Sequence, residues 1–223
     1  MKTKFLIKTL FTTLFFSAIL FLSAWKIDYI QGFIFLGTNL LTALMNFWTI
    51  RNDSDLMTER SKIGNGAKSW DKIILGFSGF IYLTSVVIAG LDSGRFQWSP
   101  FFHWYIYAVG IILTIIGQVI FLTARKENKY FSSVVRIQTD RGQTVCETGI
   151  YKIVRHPGYL GMAISLVALP LLIGSLWSII PIVIAVFLLF IRTYLEDEAL
   201  KKELLGYTDY TKRTKQRLIP KVW

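Results

Sequence analysis

The apolar positions of this 223-residue chain fall into six long runs, separated by short polar or charged stretches. The runs cover residues 5–25, 27–48, 73–91, 104–123, 160–175 and 176–195. At a rise of about 1.5 Å per residue, each of the first four is long enough for a helix that crosses the roughly 30 Å hydrocarbon core of a bilayer. The pattern predicts an all-α integral membrane protein with five to six transmembrane helices.

The last two runs follow each other almost without a connecting loop, which predicts a C-terminal helical hairpin. The fifth run is short and contains Pro170, so its helix is expected to kink or tilt. The first run follows Lys2, Lys4 and Lys8 but lacks a small-residue cleavage site. We therefore interpret it as a retained membrane helix rather than a signal peptide.

Composition supports the membrane assignment and the distribution of charge gives a topology. Only 17% of the residues are charged and 53% are hydrophobic, whereas about a quarter of a soluble domain is charged. The formal net charge of +11 could indicate nucleic-acid binding, but the basic residues flank the apolar runs, as in loops that face anionic lipid. With the N-terminus inside, Lys26 and Arg95 are the only Lys or Arg on the outer side. We expect a multi-pass protein with both termini in the cytosol, membrane lipid as a partner and no nucleic-acid partner.

Two regions follow from this pattern. Residues 1–124 are expected to hold four transmembrane helices and a cytosolic 51–72 loop that includes a short interfacial helix at 56–60. Residues 125–223 are expected to hold the helical hairpin, a cytosolic pocket and a basic cytosolic tail. Within this second region, residues 134–138 are predicted to be extended and residues 196–205 to be helical up to Gly206.

A polar cluster stands directly before the fifth apolar run. It comprises Tyr151, Arg155, His156, Pro157, Gly158 and Tyr159. Pro157 keeps the preceding residue out of helical geometry and can open a helix, whose first amides then face any anionic ligand nearby. The alternative reading is an interfacial anchor of arginine and tyrosine.

A second polar cluster ends the sixth run. Arg192 and Glu196 lie at helical i,i+4 spacing, and Asp197 and Glu198 follow. The simpler interpretation is a snorkelling arginine paired with a carboxylate at the end of a helix. However, the topology places both clusters at one membrane face, so they are predicted to form one polar site.

Several common classes of site are excluded by what the chain lacks. The only cysteine is Cys146, and the only histidines are His103 and His156, so no metal site is expected. No Gly-x-Ser-x-Gly, Walker or Gly-x-Gly-x-x-Gly motif occurs. These absences remove the commonest hydrolase, nucleotide triphosphatase and Rossmann hypotheses.

The ordered C-terminal motifs resemble those of the isoprenylcysteine carboxyl methyltransferase family and its prokaryotic relatives. They are Gly149-Ile-Tyr151, Val154-Arg-His-Pro-Gly-Tyr-Leu-Gly161, Arg192 with Glu196-Asp197, Leu205-Gly-Tyr-x-x-Tyr210 and Arg217-Leu-Ile-Pro220. The resemblance covers residues 125–223, with weaker similarity earlier, and is closest to a bacterial or archaeal branch. It implies a methyltransferase-like catalytic region in a prokaryotic cell membrane.

The resemblance also implies a cofactor and roles for individual residues. The cofactor would be S-adenosylmethionine, bound at the cytosolic face by Gln138, Gln143, Thr144, Val145, Cys146, Tyr151, Arg155, His156, Pro157, Gly158 and Tyr159. The catalytic candidates are Arg192, which would lie toward the acceptor, and Glu196, Asp197 and Glu198. Because the family usually has a Glu-Glu pair, Asp197 leaves open which of the last two carboxylates takes the second role.

The acceptor implied by the resemblance is a lipophilic small molecule or a prenylated group, with methylation of a carboxylate oxygen favoured. An amine acceptor would instead need a base such as Glu196 or Glu198. Two other functions remain open. One is an NADPH-dependent reductase of the sterol type, which shares a related Arg-His-x-x-Tyr stretch; the other is a non-catalytic membrane scaffold.

Overall fold

The computed structural model describes residues 2–51 and 66–223, and within them it is helical throughout. The helices are α1 (Lys2–Ala24), α2 (Ile30–Ile50), α3 (Ser69–Ala89), α4 (Trp104–Glu127), α5 (Pro157–Ile173), α6 (Ile179–Glu203) and α7 (Tyr207–Arg213). Five of them, α1 to α4 and α6, are long and apolar enough to cross a membrane, and no strand forms in the described ranges. The prediction of an all-α integral membrane protein is confirmed.

The helix boundaries refine the predicted runs. The break between α1 and α2 falls at Trp25, whose φ of 54° is incompatible with a continuing right-handed helix. Helix α4 continues to Glu127 because its last turn carries Arg125 and Lys126, which favour the negative end of the helix dipole. The charged residues 196–203 continue α6 without a break. The interfacial helix predicted at 56–60 lies outside the described residues.

The predicted hairpin is present as α5 and α6, joined by residues 174–178. Pro157 is the first residue of α5, as expected, and Gly174 ends the helix in the left-handed conformation, with a φ of 74°. The turn is tied to the end of α3 through the buried carboxylate of Asp92. This carboxylate accepts hydrogen bonds from the Ser175 hydroxyl at 2.6 Å and from the Ser99 amide at 2.7 Å.

Helices α4 and α5 pack at very short range through glycines. A Cβ atom added to Gly117 would lie 2.6 Å from the carbonyl oxygen of Gly161, and one added to Gly110 would lie 2.7 Å from the amide of Leu172. Small residues at such crossings let helix backbones approach and gain dispersion contacts, which drive association inside a membrane. This pair is the most extensive helix contact and forms one wall of the bundle.

The remaining helices close a ring around a central space. Helix α1 packs against both α2 and α3, α2 packs against α4 and α5, and α6 packs against α3 and α5. Helices α2 and α3 make no extensive contact with each other. The centre of the bundle is therefore enclosed on most sides but has a thin wall between α2 and α3.

A buried ion pair joins α3 to α6 at the end of the bundle that is predicted to be cytosolic. Asp71, in the first turn of α3, is fully buried and accepts a hydrogen bond from the Arg192 Nε at 2.8 Å. Its second oxygen accepts one from the Val135 backbone amide at 2.7 Å. In return, the Lys68 amide donates to the Val135 carbonyl oxygen at 3.0 Å. Residues 133–135 are thus held against the start of α3, in an irregular segment that is neither helix nor strand.

We expect Asp71→Asn to lower the stability of the protein by about 3–5 kcal/mol, because it leaves the buried guanidinium of Arg192 without a counter-charge. The midpoint of thermal unfolding in detergent measures this loss. Removing both charges, by Asp71→Asn with Arg192→Gln, should recover part of it. The matched control is Asp209→Asn, which breaks an exposed pair with Lys212 and should change little. An unchanged midpoint for Asp71→Asn would contradict a structural role of the pair.

Candidate active site

A polar cavity lies where the segment between α4 and α5 meets the ends of α5, α6 and α7. Its lining brings together residues that are far apart in sequence: Asn128, Tyr130, Phe131, Ser132, Val134, Val135, Arg136, Gln138, Gln143, Thr144, Val145, Cys146, Tyr151, Arg155, His156, Gly158, Tyr159, Glu196, Leu200, Leu204, Tyr207 and Tyr210. The two polar clusters of the sequence therefore meet here. The lining combines aromatic rings, amide side chains and one carboxylate, that of Glu196.

The start of α5 is built to present its first turn to this cavity. The backbone amides of Arg155 and His156 are bonded to the carbonyl oxygens of Gln216 and Arg217, at 3.0 and 2.9 Å, so the C-terminal tail holds the chain before Pro157 in place. The helix has no side-chain cap. Gly158 lines the cavity, and a side chain there would meet the ring of Phe131 at 2.8 Å. The first amides of α5 are thus available to a ligand.

Asp197 anchors the cationic side chains behind the cavity. Its carboxylate is fully buried and accepts hydrogen bonds from Arg155 Nε and Nη2, at 2.7 and 2.9 Å, from Arg217 Nε at 2.9 Å and from the Tyr207 hydroxyl at 2.9 Å. Lys201 lies 3.2 Å away. With both oxygens engaged, Asp197 is placed to hold α5, α7 and the tail together.

The neighbours of Asp197 have correspondingly shifted ionisation. Burial disfavours the charged form of Arg155, but the hydrogen bonds and charge of Asp197 outweigh it and raise the pKa of the guanidinium. Burial, together with the adjacent Asp197 charge, raises the pKa of Tyr207 well above its ordinary value. Arg155 is therefore a permanent cation and Tyr207 a permanent neutral donor at physiological pH.

Glu196 takes a different direction from its neighbour in sequence. It accepts a hydrogen bond from the hydroxyl of Tyr159, and that tyrosine ring stacks nearly parallel to His156, with 5.8 Å between ring centroids. The expected pairing of Arg192 with Glu196 does not form, because Arg192 instead bonds Asp71 and the carbonyl oxygen of Ser133, the latter at 3.2 Å. The guanidinium of Arg192 also lies over the Tyr159 ring, 5.0 Å from its centroid.

A second, larger cavity occupies the centre of the helix bundle; we call it the bundle cavity. Its volume is about 550 Å³. It is lined by residues of α2 to α6 and of the segment before α5: Phe35, Asn39, Thr42, Leu75, Ser78, Gly79, Tyr82, Thr114, Gln118, Phe121, Phe131, Ser132, Ser133, Tyr159, Gly161, Met162, Ser165, Leu166, Leu169, Leu172, Ala185, Leu189 and Arg192. Phe131, Ser132 and Tyr159 line both cavities. A thin partition of three side chains therefore separates a polar site from a mostly apolar one.

Most of the sequence-predicted site residues lie at these cavities. Those that line the polar cavity are Gln138, Gln143, Thr144, Val145, Cys146, Tyr151, Arg155, His156, Gly158, Tyr159 and Glu196, while Arg192 lines the bundle cavity. Pro157, Asp197 and Glu198 are not among the lining side chains of either cavity. Glu198 instead faces Lys201 and Arg217, at 2.8 and 3.2 Å.

Some of the polar-cavity residues also shape its rim. The Gln138 amide nitrogen donates to the Tyr130 carbonyl oxygen at 2.6 Å, and its backbone amide donates to the Gln143 side chain at 2.6 Å. These bonds close the turn at Thr139–Arg141. Burial raises the pKa of the Cys146 thiol, so this side chain is a weak nucleophile at neutral pH.

Sequence reasoning missed Asp71, Phe131 and Tyr207 as members of this arrangement. For Asp71 a signal existed, because a carboxylate at the start of one membrane helix and Arg192 near the end of another are both placed at the cytosolic face by topology. Intramembrane charges are generally paired. Phe131 and Tyr207 carry no comparable signal, since aromatic residues are common at every membrane boundary.

Comparison with known proteins connects this arrangement to a family. Residues 108–202 match the sequence model of the isoprenylcysteine carboxyl methyltransferase (ICMT) family. A probable protein-S-isoprenylcysteine O-methyltransferase of Oryza sativa subsp. indica is 25% identical over 114 residues, which cover 50% of this chain and 60% of the rice protein.

Two Arabidopsis thaliana proteins give similar matches. Protein-S-isoprenylcysteine O-methyltransferase B is 26% identical over 114 residues, covering 50% of this chain and 58% of the relative. For protein-S-isoprenylcysteine O-methyltransferase A the identity is 24% over 136 residues, covering 58% and 63%. The matched part of this chain thus spans about three fifths of the length of these curated relatives. The resemblance inferred from the C-terminal motifs is confirmed: through residues 108–202, the chain belongs to the isoprenylcysteine carboxyl methyltransferase family.

Proposed function

We propose that this protein is a membrane methyltransferase that transfers a methyl group from S-adenosylmethionine to the carboxylate of an isoprenylated or similarly lipid-like acceptor. The observation that carries the proposal is the meeting of two unlike cavities at Phe131, Ser132 and Tyr159. The polar cavity suits a charged, water-soluble donor, and the bundle cavity suits a lipid. The family match and the names of the relatives support methyl transfer over the reductase alternative.

The residues of the polar cavity fit the chemistry of the proposed cofactor. Adenosylmethionine carries a carboxylate, an ammonium, a sulfonium and an adenine ring. Uncapped amides at the start of α5 suit the carboxylate, Glu196 suits a cationic group, and the rings of Tyr130 and Tyr151 offer faces for adenine. Burial raises the pKa of Tyr151, so it serves as a neutral wall rather than an anion.

The polar cavity has to widen when the cofactor binds. Its free volume is about 100 Å³, whereas pockets for small organic ligands usually measure about 300–1,000 Å³. The flank that can move is the segment 139–147, where most side chains are exposed or half-buried. The opposite flank is fixed by the bonds of Arg155 and Tyr207 to Asp197.

Arg192 is the residue best placed to bind the acceptor carboxylate. Its Nε and Nη2 atoms are engaged by Asp71 and the Ser133 carbonyl, while its Nη1 has no hydrogen-bond partner among the described residues. Arg192 lines the bundle cavity and touches the Tyr159 partition. A guanidinium fixed on one edge can present its other edge to a carboxylate without losing further conformational freedom.

The proposed reaction asks little proton chemistry of the protein. Bound in the polar cavity, S-adenosylmethionine supplies an activated methyl group on its sulfonium. A carboxylate oxygen needs no general base to accept it, so the protein acts by positioning the acceptor on Arg192 and excluding water at the partition. Tyr159 is held by Glu196 and by stacking on His156, which fixes the partition at the point of transfer.

The acceptor has a route into the bundle cavity from the bilayer. Gly79 of α3 lines this cavity yet is exposed on the outside of the bundle, and an added Cβ there would meet nothing within 4 Å. It faces the thin wall between α2 and α3. A lipid can therefore enter sideways without passing through water.

Methyl transfer is tested directly with tritiated S-adenosylmethionine, N-acetyl-S-farnesyl-L-cysteine and the purified protein in mixed micelles. We expect a methyl ester, recognised by release of volatile tritiated methanol in alkali. Arg192→Lys should lower kcat/KM for the acceptor by about tenfold to a hundredfold, since it loses a charge-assisted bond of about 1.5–3 kcal/mol. It should leave binding of S-adenosylhomocysteine unchanged by calorimetry.

The control for that experiment is Arg213→Lys, which alters an exposed pair with Glu147. A scaffold without catalysis would show no transfer in the wild type and no difference between the two variants. An alkali-stable methylated product would instead indicate a nitrogen or sulfur acceptor.

The single cysteine gives an independent assay of cofactor binding. Cys146 lines the polar cavity, so S-adenosylhomocysteine at ten times its Kd should slow alkylation by N-ethylmaleimide about tenfold, in proportion to the free fraction. Because burial raises the thiol pKa, the rate should increase from pH 7 to pH 9 with the thiolate fraction. Cys146→Ser should abolish labelling. Protection by NADPH but not by S-adenosylhomocysteine would favour the reductase.

The proposed route for the acceptor is tested by Gly79→Trp. The indole should obstruct the opening between α2 and α3 and raise the KM for the farnesylated acceptor severalfold, with cofactor protection of Cys146 unchanged. Phe80→Trp is the matched control, because Phe80 is the next residue of α3 and faces outward, 67% exposed. Equal KM values for the two variants would rule out access at this position.

A further inference from the structure

An amide side chain in the bundle cavity lacks the partner that its surroundings call for. Gln118 of α4 lines this cavity, and its Nε2 atom is buried with no hydrogen-bond partner among the described residues. Inside a membrane protein, water does not freely satisfy such a donor, and leaving a buried polar group unpaired is costly. The group therefore requires an explanation.

Gln118 lies close to the partition where methyl transfer is proposed. The preceding residue, Gly117, packs against the backbone of Gly161, which is two residues beyond Tyr159 in α5. Phe121, three residues later in α4, packs edge-on against the partition residue Phe131, with 5.3 Å between ring centroids. At about 1.5 Å of rise per residue, Gln118 lies roughly one helical turn deeper in the bilayer than this contact.

The other polar side chains around Gln118 use their own hydrogens within their helices. The hydroxyl of Thr114 donates to the Gly110 carbonyl at 2.8 Å, and that of Ser165 donates to the Gly161 carbonyl at 3.0 Å. The side-chain nitrogen of Asn39 donates to the Phe35 carbonyl at 2.8 Å. Gln118 therefore differs from these neighbours in offering its donor to the cavity itself.

We propose that the Gln118 amide binds a carbonyl oxygen that the acceptor carries next to its methylated carboxylate. The acceptor class is then an N-acylated amphiphile, with an amide carbonyl within one helical turn of the reacting oxygen, rather than a simple fatty or prenyl acid. This inference rests on the proposed function and deepens it. Arg192 binds the carboxylate, Gln118 reads the neighbouring amide, and the apolar remainder of the cavity holds the chain.

The test compares two acceptors that differ only in this amide. N-acetyl-S-farnesyl-L-cysteine carries the amide next to the carboxylate, and S-farnesyl-3-mercaptopropionic acid lacks it. In the wild type we expect kcat/KM to be about tenfold higher for the first, the ratio that one buried neutral hydrogen bond supports. In Gln118→Met, which keeps the length of the side chain without the donor, the ratio should fall to about twofold or less.

Two further variants make the experiment decisive. Gln118→Leu repeats the loss of the donor with a second apolar side chain, in case one of them packs poorly, and protection of Cys146 by S-adenosylhomocysteine reports an intact fold. Thr123→Val is the matched control on the exposed, lipid-facing side of α4, where the hydroxyl is bonded to the Val119 carbonyl. It should preserve the tenfold ratio.

The outcomes separate the two levels of the argument. A wild-type protein that methylates both acceptors equally, or a Gln118→Met protein that keeps the tenfold preference, would overturn the role of Gln118 and leave methyl transfer intact. The first of these results would also indicate that water satisfies the amide. A wild-type protein that binds S-adenosylhomocysteine but methylates neither acceptor would overturn the proposed acceptor class, and the role of Gln118 with it.

Discussion

The buried pair between Asp71 and Arg192 is the interaction on which the rest of the site depends. It joins α3 to α6 and, through the Val135 amide, holds the irregular segment that carries the partition residues Phe131 and Ser132. Two charges removed from water are costly unless each is closely matched and further hydrogen-bonded. Here Asp71 receives bonds from two elements, and Arg192 retains one free edge toward the bundle cavity. One ion pair thus both closes the bundle and orients a cation at the boundary between the two cavities.

A second buried carboxylate organises the opposite side of the polar cavity by the same physical means. Asp197 gathers Arg155, Arg217, Lys201 and Tyr207, and so draws α5, α7 and the C-terminal tail around the end of α6. Adjacent acidic residues of one helix therefore do different work. Asp197 is enclosed by cations, while Glu196, about 100° further round the helix, faces the cavity and bonds Tyr159.

The sequence was sufficient for the elements of this fold and for much of its site. Apolar runs of membrane-spanning length predicted the helices, Pro157 predicted the start of α5, and the distribution of charge put the two polar clusters at one end. The pairing of Arg192 could not be predicted, because its partner lies 121 residues away and the i,i+4 neighbour Glu196 offered a local alternative. The bundle cavity was equally hidden, since residues such as Leu169 or Ala185 have the same pattern whether they face lipid, protein or an internal space.

The Asp92 clamp has a consequence for the size of molecule that the bundle can hold. It fixes the turn between α5 and α6 to the end of α3, directly below the deepest residues of the cavity, such as Leu172. A floor pinned by several hydrogen bonds does not yield to a longer hydrocarbon chain. Any excess length must bend back or protrude laterally into the surrounding bilayer. The protein therefore measures its guest from a rigid base upward, and tolerance for longer chains is set by the flank of the barrel-like ring rather than by its bottom.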